Sequence, residues 1–280
     1  MGDLKPCIIC NNENFELWAK LDFFEAKKCK NCEMISVNPH PTQEGLKKYY
    51  QGYLNERLDD VYEILNEQRK KMYLIDRDWI LRFIASGKVL DVGCSGGQFL
   101  STFDNTKWER RGVDLEKNDA DFAMKEYGIP VDVGYLPELS LPNDFDLIMS
   151  RGVIEHFSDP IIYLKKCAEL LKSGGLLFIT ALPVGNSFAF YIYREKWGLF
   201  VPPEHIHFFT VELLTKKLKE FGLELIDYHY QYEETPYSNT KNDYEKIKND
   251  IFLLGQKKWG DVTTSPPFPG SMLTAVWKKN

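Results

Sequence analysis

This sequence predicts an α/β fold in which a doubly wound, mainly parallel sheet follows a small cysteine-bearing module, and three observations carry that expectation. From Lys88 onward, apolar runs of strand length alternate with helical patterns, as in a parallel sheet covered on both faces. The run Lys88-Val89-Leu90-Asp91-Val92-Gly93-Cys94-Ser95-Gly96-Gly97 passes from an apolar strand with an acid near its end straight into a glycine-dense turn. Ahead of both, Cys7-x-x-Cys10 and Cys29-x-x-Cys32 form two knuckles one short hairpin apart.

Taken in order, residues 1–40 read as a zinc-ribbon module. Each knuckle brings two thiolates to one side of a tight turn, so Cys7, Cys10, Cys29 and Cys32 together make a closed tetrahedral site. Such a site leaves no coordination position open and is structural. Met1-Gly2-Asp3-Leu4-Lys5-Pro6 lacks the apolar core of a signal peptide, which favours a cytoplasmic, reducing setting over paired disulfides. Phe15 to Phe24 alternates in part like a strand of the ribbon hairpin. Asn38-Pro39-His40-Pro41 interrupts regular structure and marks a boundary. Residues 41–86 then read as a helical linker or cap, with Leu54, Leu58, Val61, Leu65, Tyr73, Leu74, Trp79, Ile80 and Phe83 at mostly helical spacing. Tyr49, Tyr50 and Tyr53 can cap a cofactor pocket, with ordinary packing the expected role of at least two of them.

Residues 87–280 hold the doubly wound domain. Glycines at 93, 96 and 97 let the backbone turn tightly and let a ligand approach bare amides. Trp108 to Leu115 reads as the next strand, ending at Asp114, about 20 residues past the turn, where an acid can accept both ribose hydroxyls of a nucleoside. Asn118 to Tyr127 reads as a helix closed by Gly128, Ile129 to Gly134 as a strand, and Phe145 to Ser150 as another. Asp159-Pro160 opens a helix by capping and by the fixed φ of proline. Ser173-Gly174-Gly175 stops it before the apolar strand Leu176 to Thr180. Residues 233–269 are polar and read as an insertion before a closing strand from Gly270 to Trp277. In such sheets the ligand sits beyond the carboxyl ends of the strands, at the point where the chain reverses direction. The expected cofactor contacts are therefore Asp91, Gly93, Cys94, Gly96, Gly97, Asp114, Leu115, Tyr135, Leu136 and Ser150.

The chain has 280 residues, 44% of them apolar, and a formal net charge of −6. That size holds one full α/β domain and a small module, and no run is apolar enough to span a membrane. Residues 1–50 contain seven Lys against seven Asp or Glu, a balance of 7 − 7 = 0, so the ribbon has no basic excess with which to grip phosphates. A small-molecule acceptor is the expected partner, with neither nucleic acid nor membrane insertion.

The run Asp91-Val92-Gly93-Cys94-Ser95-Gly96-Gly97 resembles the first motif of class I S-adenosylmethionine methyltransferases. The order of Leu90-Asp91-Val92-Gly93, Gly112-Val113-Asp114, Phe145-Asp146-Leu147-Ile148, Val153-Ile154-Glu155-His156, Leu171-Lys172-Ser173-Gly174-Gly175 and Pro202-Pro203-Glu204-His205 is similar to bacterial methyltransferases encoded with polysaccharide and sugar-modification genes. The paired cysteines followed by Asn38-Pro39 and a tyrosine-rich helix resemble sugar-nucleotide C-methyltransferases, in which a zinc module precedes the cofactor domain. The resemblance implies a Rossmann-like, seven-stranded methyltransferase sheet, S-adenosylmethionine, structural zinc and a sugar or nucleotide-sugar acceptor. It also implies a base, which a Tyr-x-Glu-His segment supplies in those enzymes. Glu204-His205 matches the second half of that segment, Pro202 stands at the tyrosine position, and Glu155-His156 is a further candidate pair. Glu204 is expected to orient His205, and the aromatic segment 183–209 to form a lid over the acceptor. Two other readings stand beside this one: a zinc-finger-bearing RNA methyltransferase, and a non-catalytic cofactor-binding interaction protein.

Overall fold

The structure is a computed structural model that describes residues 4–42, 45, 46, 49, 61–267 and 269–280. The expectations at Tyr50, Tyr53, Leu54 and Leu58 lie outside the described residues. In chain order the elements begin with β1 (Phe15–Leu21), β2 (Phe24–Cys29), β3 (Ile35–Val37) and α1 (Val61–Ile80). Then come β4 (Gly87–Val92), β5 (Trp108–Asp114), α2 (Lys117–Tyr127), β6 (Val131–Val133), β7 (Phe145–Arg151) and α3 (Pro160–Leu170). The chain finishes with β8 (Leu171–Pro183), α4 (Phe188–Tyr193), β9 (His207–Phe208), α5 (Val211–Glu220), β10 (Leu223–Tyr230), α6 (Thr240–Gly255) and β11 (Met272–Lys279).

Seven strands form one sheet in the order β10-β11-β8-β7-β4-β5-β6. β4 pairs in parallel with both β5 and β7, whereas β11 is antiparallel to β8 and to β10. The chain therefore runs outward from β4 through β5 to β6, returns to β7 on the other side, and so creates its switch point between β4 and β7. Local chemistry sets the helix ends. Asp159 accepts from the Ile161 and Ile162 amides ahead of α3, and Gly128 closes α2 at φ 62°. One stop signal acts differently from expectation. α3 ends at Leu170, and Lys172 to Gly175 bulge out within β8, since Phe145 pairs with Leu171 while Leu147 pairs with Leu176.

Strand alternation divides the core. Leu90, Val92, Ile148, Leu177 and Ile179 face α3 and α5, whereas Val89, Leu147, Met149, Phe178 and Val276 face Trp79 and Ile80 of α1. A second sheet, β1-β2-β3-β9, joins the cysteine module to a strand from late in the chain through the pairs Ile35↔Phe208 and Ser36↔His207.

The aromatic segment between β8 and α5 contributes part of a second core. Phe190, Trp197, Phe200 and Phe208 are buried against Ala19, Ala26, Ile35 and Val37 of the hairpin sheet and Ile247 of α6. Phe190 stacks on Trp197 with centroids 4.4 Å apart. Those rings make a core, while Phe188 and Tyr191 of the same segment are exposed. Between β10 and β11 the chain carries α6 and a short turn at Trp259–Asp261.

Candidate functional site

The turn after β4 is held from beneath by β5: the Gly93 and Cys94 amides both donate to the Val113 carbonyl, at 2.8 and 3.2 Å. Gly93 and Gly97 have φ of 72° and 78°, and a Cβ at Gly93 would stand 2.6 Å from the Val153 side chain. Only glycine meets both demands there. Cys94 tucks its thiol inward, such that a Cβ on Gly112 would come within 2.5 Å of its Sγ. A larger residue at 94 would push the turn off β5.

Asp114 closes the turn on the other side. Its carboxylate accepts from the Ser95 amide at 2.7 Å and the Glu116 amide at 3.1 Å, which fixes it at the carboxyl end of β5. Burial raises its pKa, opposed by those amides. Asp91 is fully buried and pushed up to about 8 by burial and by Asp114, with Arg151 pulling the other way. Leu115 is 60% exposed beside Asp114, an apolar shelf suited to the face of a base. Leu136 is buried and Tyr135 half-buried, its ring 5.5 Å from Phe157. Ser150 is fully buried, on the same strand face as Ile148, and its hydroxyl has no hydrogen-bond partner among the described residues. Its hydroxyl therefore points away from the face that carries Asp91, which leaves only its main chain for a ligand.

Val153, which bounds the Gly93 turn, begins a short turn that continues to Ile154–His156. The Glu155 and His156 side chains there meet His205, and ligand atoms of the three lie within 4.8 Å of one another. The His156 and His205 rings are 5.1 Å apart in a T-shaped arrangement. Glu155 Oε1 is 3.7 Å from His156 Nε2, and its other oxygen is buried with no partner among the described residues. Burial pushes Glu155 up to about 8. Three donors at this spacing suit either proton transfer or a divalent cation.

The expected orienting role of Glu204 is not what the structure shows. His205 Nδ1 meets the Leu199 carbonyl at 2.7 Å, while Glu204 accepts from the Tyr49 hydroxyl at 2.8 Å. A backbone oxygen thus fixes the imidazole. Tyr49, from far upstream, stands beside Glu204 where Pro202 replaces the motif tyrosine, and no local pattern reveals that. His205 is held below the ordinary histidine range by burial, with Leu199 and Glu204 acting in the opposite direction.

The thiols form a compact group. Cys7 Sγ is 3.4 Å from Cys32 Sγ, Cys10 Sγ is 3.6 Å from Cys29 Sγ, and all four lie within 4.8 Å of each other. Thiolates held at about 2.3 Å from a tetrahedral ion stand about 3.8 Å apart, so the group fits zinc. The knuckles match locally: the amides of Asn11 and Glu33 donate to the Cys7 and Cys29 carbonyls, with φ of 57° and 65°. Cys167 is buried in α3, apart from this group.

Residues 50–228 match the family described as "Methyltransferase domain", and the chain belongs to it. It is 30% identical over 151 residues to the ubiquinone biosynthesis O-methyltransferase of Dinoroseobacter shibae, covering 50% of this chain and 61% of that one. It is 31% identical over 152 residues to the protein of that name from Bordetella bronchiseptica, covering 50% and 63%. The chain thus spans about three fifths of the length of these curated relatives. Its fold matches a possible histamine N-methyltransferase from Thermotoga maritima at a TM-score of 0.54 and 19% identity, over 81% of this chain and 99% of the other. It also matches a magnesium protoporphyrin IX methyltransferase from Synechocystis, solved with bound S-adenosylhomocysteine, at 0.54 and 11% identity over 85% and 95%. The seven-stranded sheet is the Rossmann-like methyltransferase fold. Among the described residues no helix is long and apolar enough to cross a membrane.

Proposed function

We propose that this chain is an S-adenosylmethionine-dependent methyltransferase acting on a small molecule, a sugar or nucleotide-sugar in surface-polysaccharide or related biosynthesis. One observation carries the reading: in a methyltransferase-family chain, the Gly93–Gly97 turn, Asp114 and the Glu155-His156-His205 group converge at one edge of the sheet. The cofactor supplies a methyl group on a sulfonium that is already activated, so positioning accounts for much of the acceleration. Asp91, the turn amides, Asp114, Leu115, Tyr135 and Leu136 form its seat.

His205 is the base in this reading. With Nδ1–H donated to Leu199, Nε2 carries the free lone pair, and burial keeps the ring neutral at physiological pH. The turn amides and Asp114 would hold the cofactor that supplies the methyl group, and Nε2 of His205 would take the proton that the acceptor loses. Glu155 and His156 line the same space. Four clustered thiols as structural zinc ligands favour a cytoplasmic setting.

A second reading places a ring hydroxyl on the way to a ubiquinone as the acceptor, and the names of the two curated relatives favour it. The domain organisation, with residues 1–40 as a zinc ribbon, 41–86 as a cap and 87–280 as the cofactor domain, suits either acceptor. Mass spectrometry of nucleotide-sugar and quinone-precursor pools, incubated with the protein and methyl-labelled cofactor, decides between them. Label in a nucleotide-sugar supports the first reading, and label in the quinone precursor alone supports the second. Loss of transfer on chelation, restored by magnesium, would reassign the Glu155-His156-His205 group from proton transfer to a cation.

A further inference from the structure

Arg69, Tyr73 and Asp76 are spaced by four and three residues on α1 and therefore share one helix face. Asp76 has no exposed surface, and its carboxylate accepts from Arg151 Nε at 2.9 Å, Thr180 Oγ1 at 3.0 Å and Gln231 Nε2 at 2.7 Å. Thr180 in turn shares a 2.7 Å hydrogen bond with Thr274. Donors from β7, β8 and the segment after β10 thus fix one carboxylate, and that carboxylate fixes Arg151.

Arg151 is engaged at a single point. Among the described residues its hydrogen bond is made by Nε, with none from the two terminal nitrogens, and the Tyr73 ring backs the guanidinium at 5.1 Å. The Arg151 side chain keeps 19% of its surface while that of Asp76 keeps none. As the last residue of β7, Arg151 lies within electrostatic reach of both Asp91 and Glu155. The Tyr237 hydroxyl lies within reach of both Arg151 and Arg69. A largely desolvated guanidinium with free terminal donors is costly unless an acceptor meets them, and carboxylates and phosphates match that fork.

We infer that Arg151, pinned by Asp76 and assisted by Arg69, is the receptor for a carboxylate or phosphate on a bound reactant. The anion has two sources with the same chemistry, the methionyl carboxylate of the cofactor or an anionic group of the acceptor. The inference rests on the cofactor reading of the Asp91–Gly97 turn, and 5′-methylthioadenosine, which keeps the adenosine but lacks the carboxylate, separates the two.

Calorimetry on the full chain tests it, with S-adenosylhomocysteine and 5′-methylthioadenosine titrated into wild type, Arg151→Gln and Arg69→Gln. Pyrophosphate is then titrated into each protein saturated with S-adenosylhomocysteine. If the cofactor supplies the anion, Arg151→Gln weakens S-adenosylhomocysteine at least tenfold and leaves 5′-methylthioadenosine unchanged, with a smaller loss in Arg69→Gln. If the acceptor supplies it, both nucleosides bind as before, and pyrophosphate binds wild type but not Arg151→Gln. The double variant Asp76→Asn/Arg151→Gln leaves no buried carboxylate unpaired and gives the same result in either case. Unchanged S-adenosylhomocysteine affinity together with no Arg151-dependent pyrophosphate binding overturns the inference alone. Loss of 5′-methylthioadenosine in both Arg151 variants reduces Arg151 to a structural role and also overturns it. Failure of wild type to bind 5′-methylthioadenosine removes the cofactor reading, and this inference with it.

Discussion

His205 Nδ1 lies 2.7 Å from the carbonyl oxygen of Leu199, so the backbone sets the imidazole's tautomer and leaves the lone pair on Nε2, in a ring grouped with Glu155 and His156. General-base catalysis contributes about 10²–10⁴-fold. His205→Ala should therefore lower turnover with the true acceptor by at least about 100-fold while S-adenosylhomocysteine affinity stays within about twofold. Glu204→Gln should have a far smaller effect, because Glu204 pairs with Tyr49 rather than with the imidazole. A few-fold loss in His205→Ala would transfer the role to His156 or to positioning alone.

The purified chain should carry one zinc per molecule, measured by elemental analysis. Cys7→Ser with Cys29→Ser should abolish it and loosen the hairpin sheet, including the β3–β9 pairs that tie the module to the later chain. Zinc retained by that double variant would contradict the assignment.

Without ligand, stability should fall on both sides of neutrality. Asp91, raised to about 8, binds its proton more tightly folded than unfolded, so its contribution is lost as pH climbs from the ordinary carboxylate range through 8. His40, lowered to about 4 by burial, acts in the opposite sense, and stability is lost as pH falls from about 6.5 through 4. His207 is shifted the same way, its ring 4.9 Å from His40. Thermal melts across pH should peak near pH 6.5, where the histidine contribution is complete and the Asp91 loss is no longer opposed, and positive charge on bound S-adenosylmethionine beside Asp91 should flatten the alkaline side. A melt that rises steadily from pH 6 to 9 would contradict the placement of Asp91.

The doubly wound sheet was legible because its signals are local. Apolar runs, the Asp159-Pro160 start and the Gly128 stop each act within a few residues, and the structure places those elements where the pattern puts them. Contacts between distant segments were not legible. Nothing local tells that Ser36 pairs with His207, that Tyr49 reaches Glu204, or that Asp76 pins Arg151. The direction of the Ser150 hydroxyl follows from strand alternation, which a motif match alone does not supply. The role of the aromatic segment is illegible for a related reason, since rings packed in a core and rings on a lid have the same composition.

The central claim, a nucleoside cofactor seated between the Gly93 turn and Asp114, is tested most directly by calorimetric titration of S-adenosylmethionine into wild type and Asp114→Ala. The account predicts measurable binding to wild type, weakened in the variant by roughly 1.5–3 kcal/mol as charge-assisted hydrogen bonds are lost. Affinity unchanged by Asp114→Ala, or no binding to the wild-type chain, would contradict it.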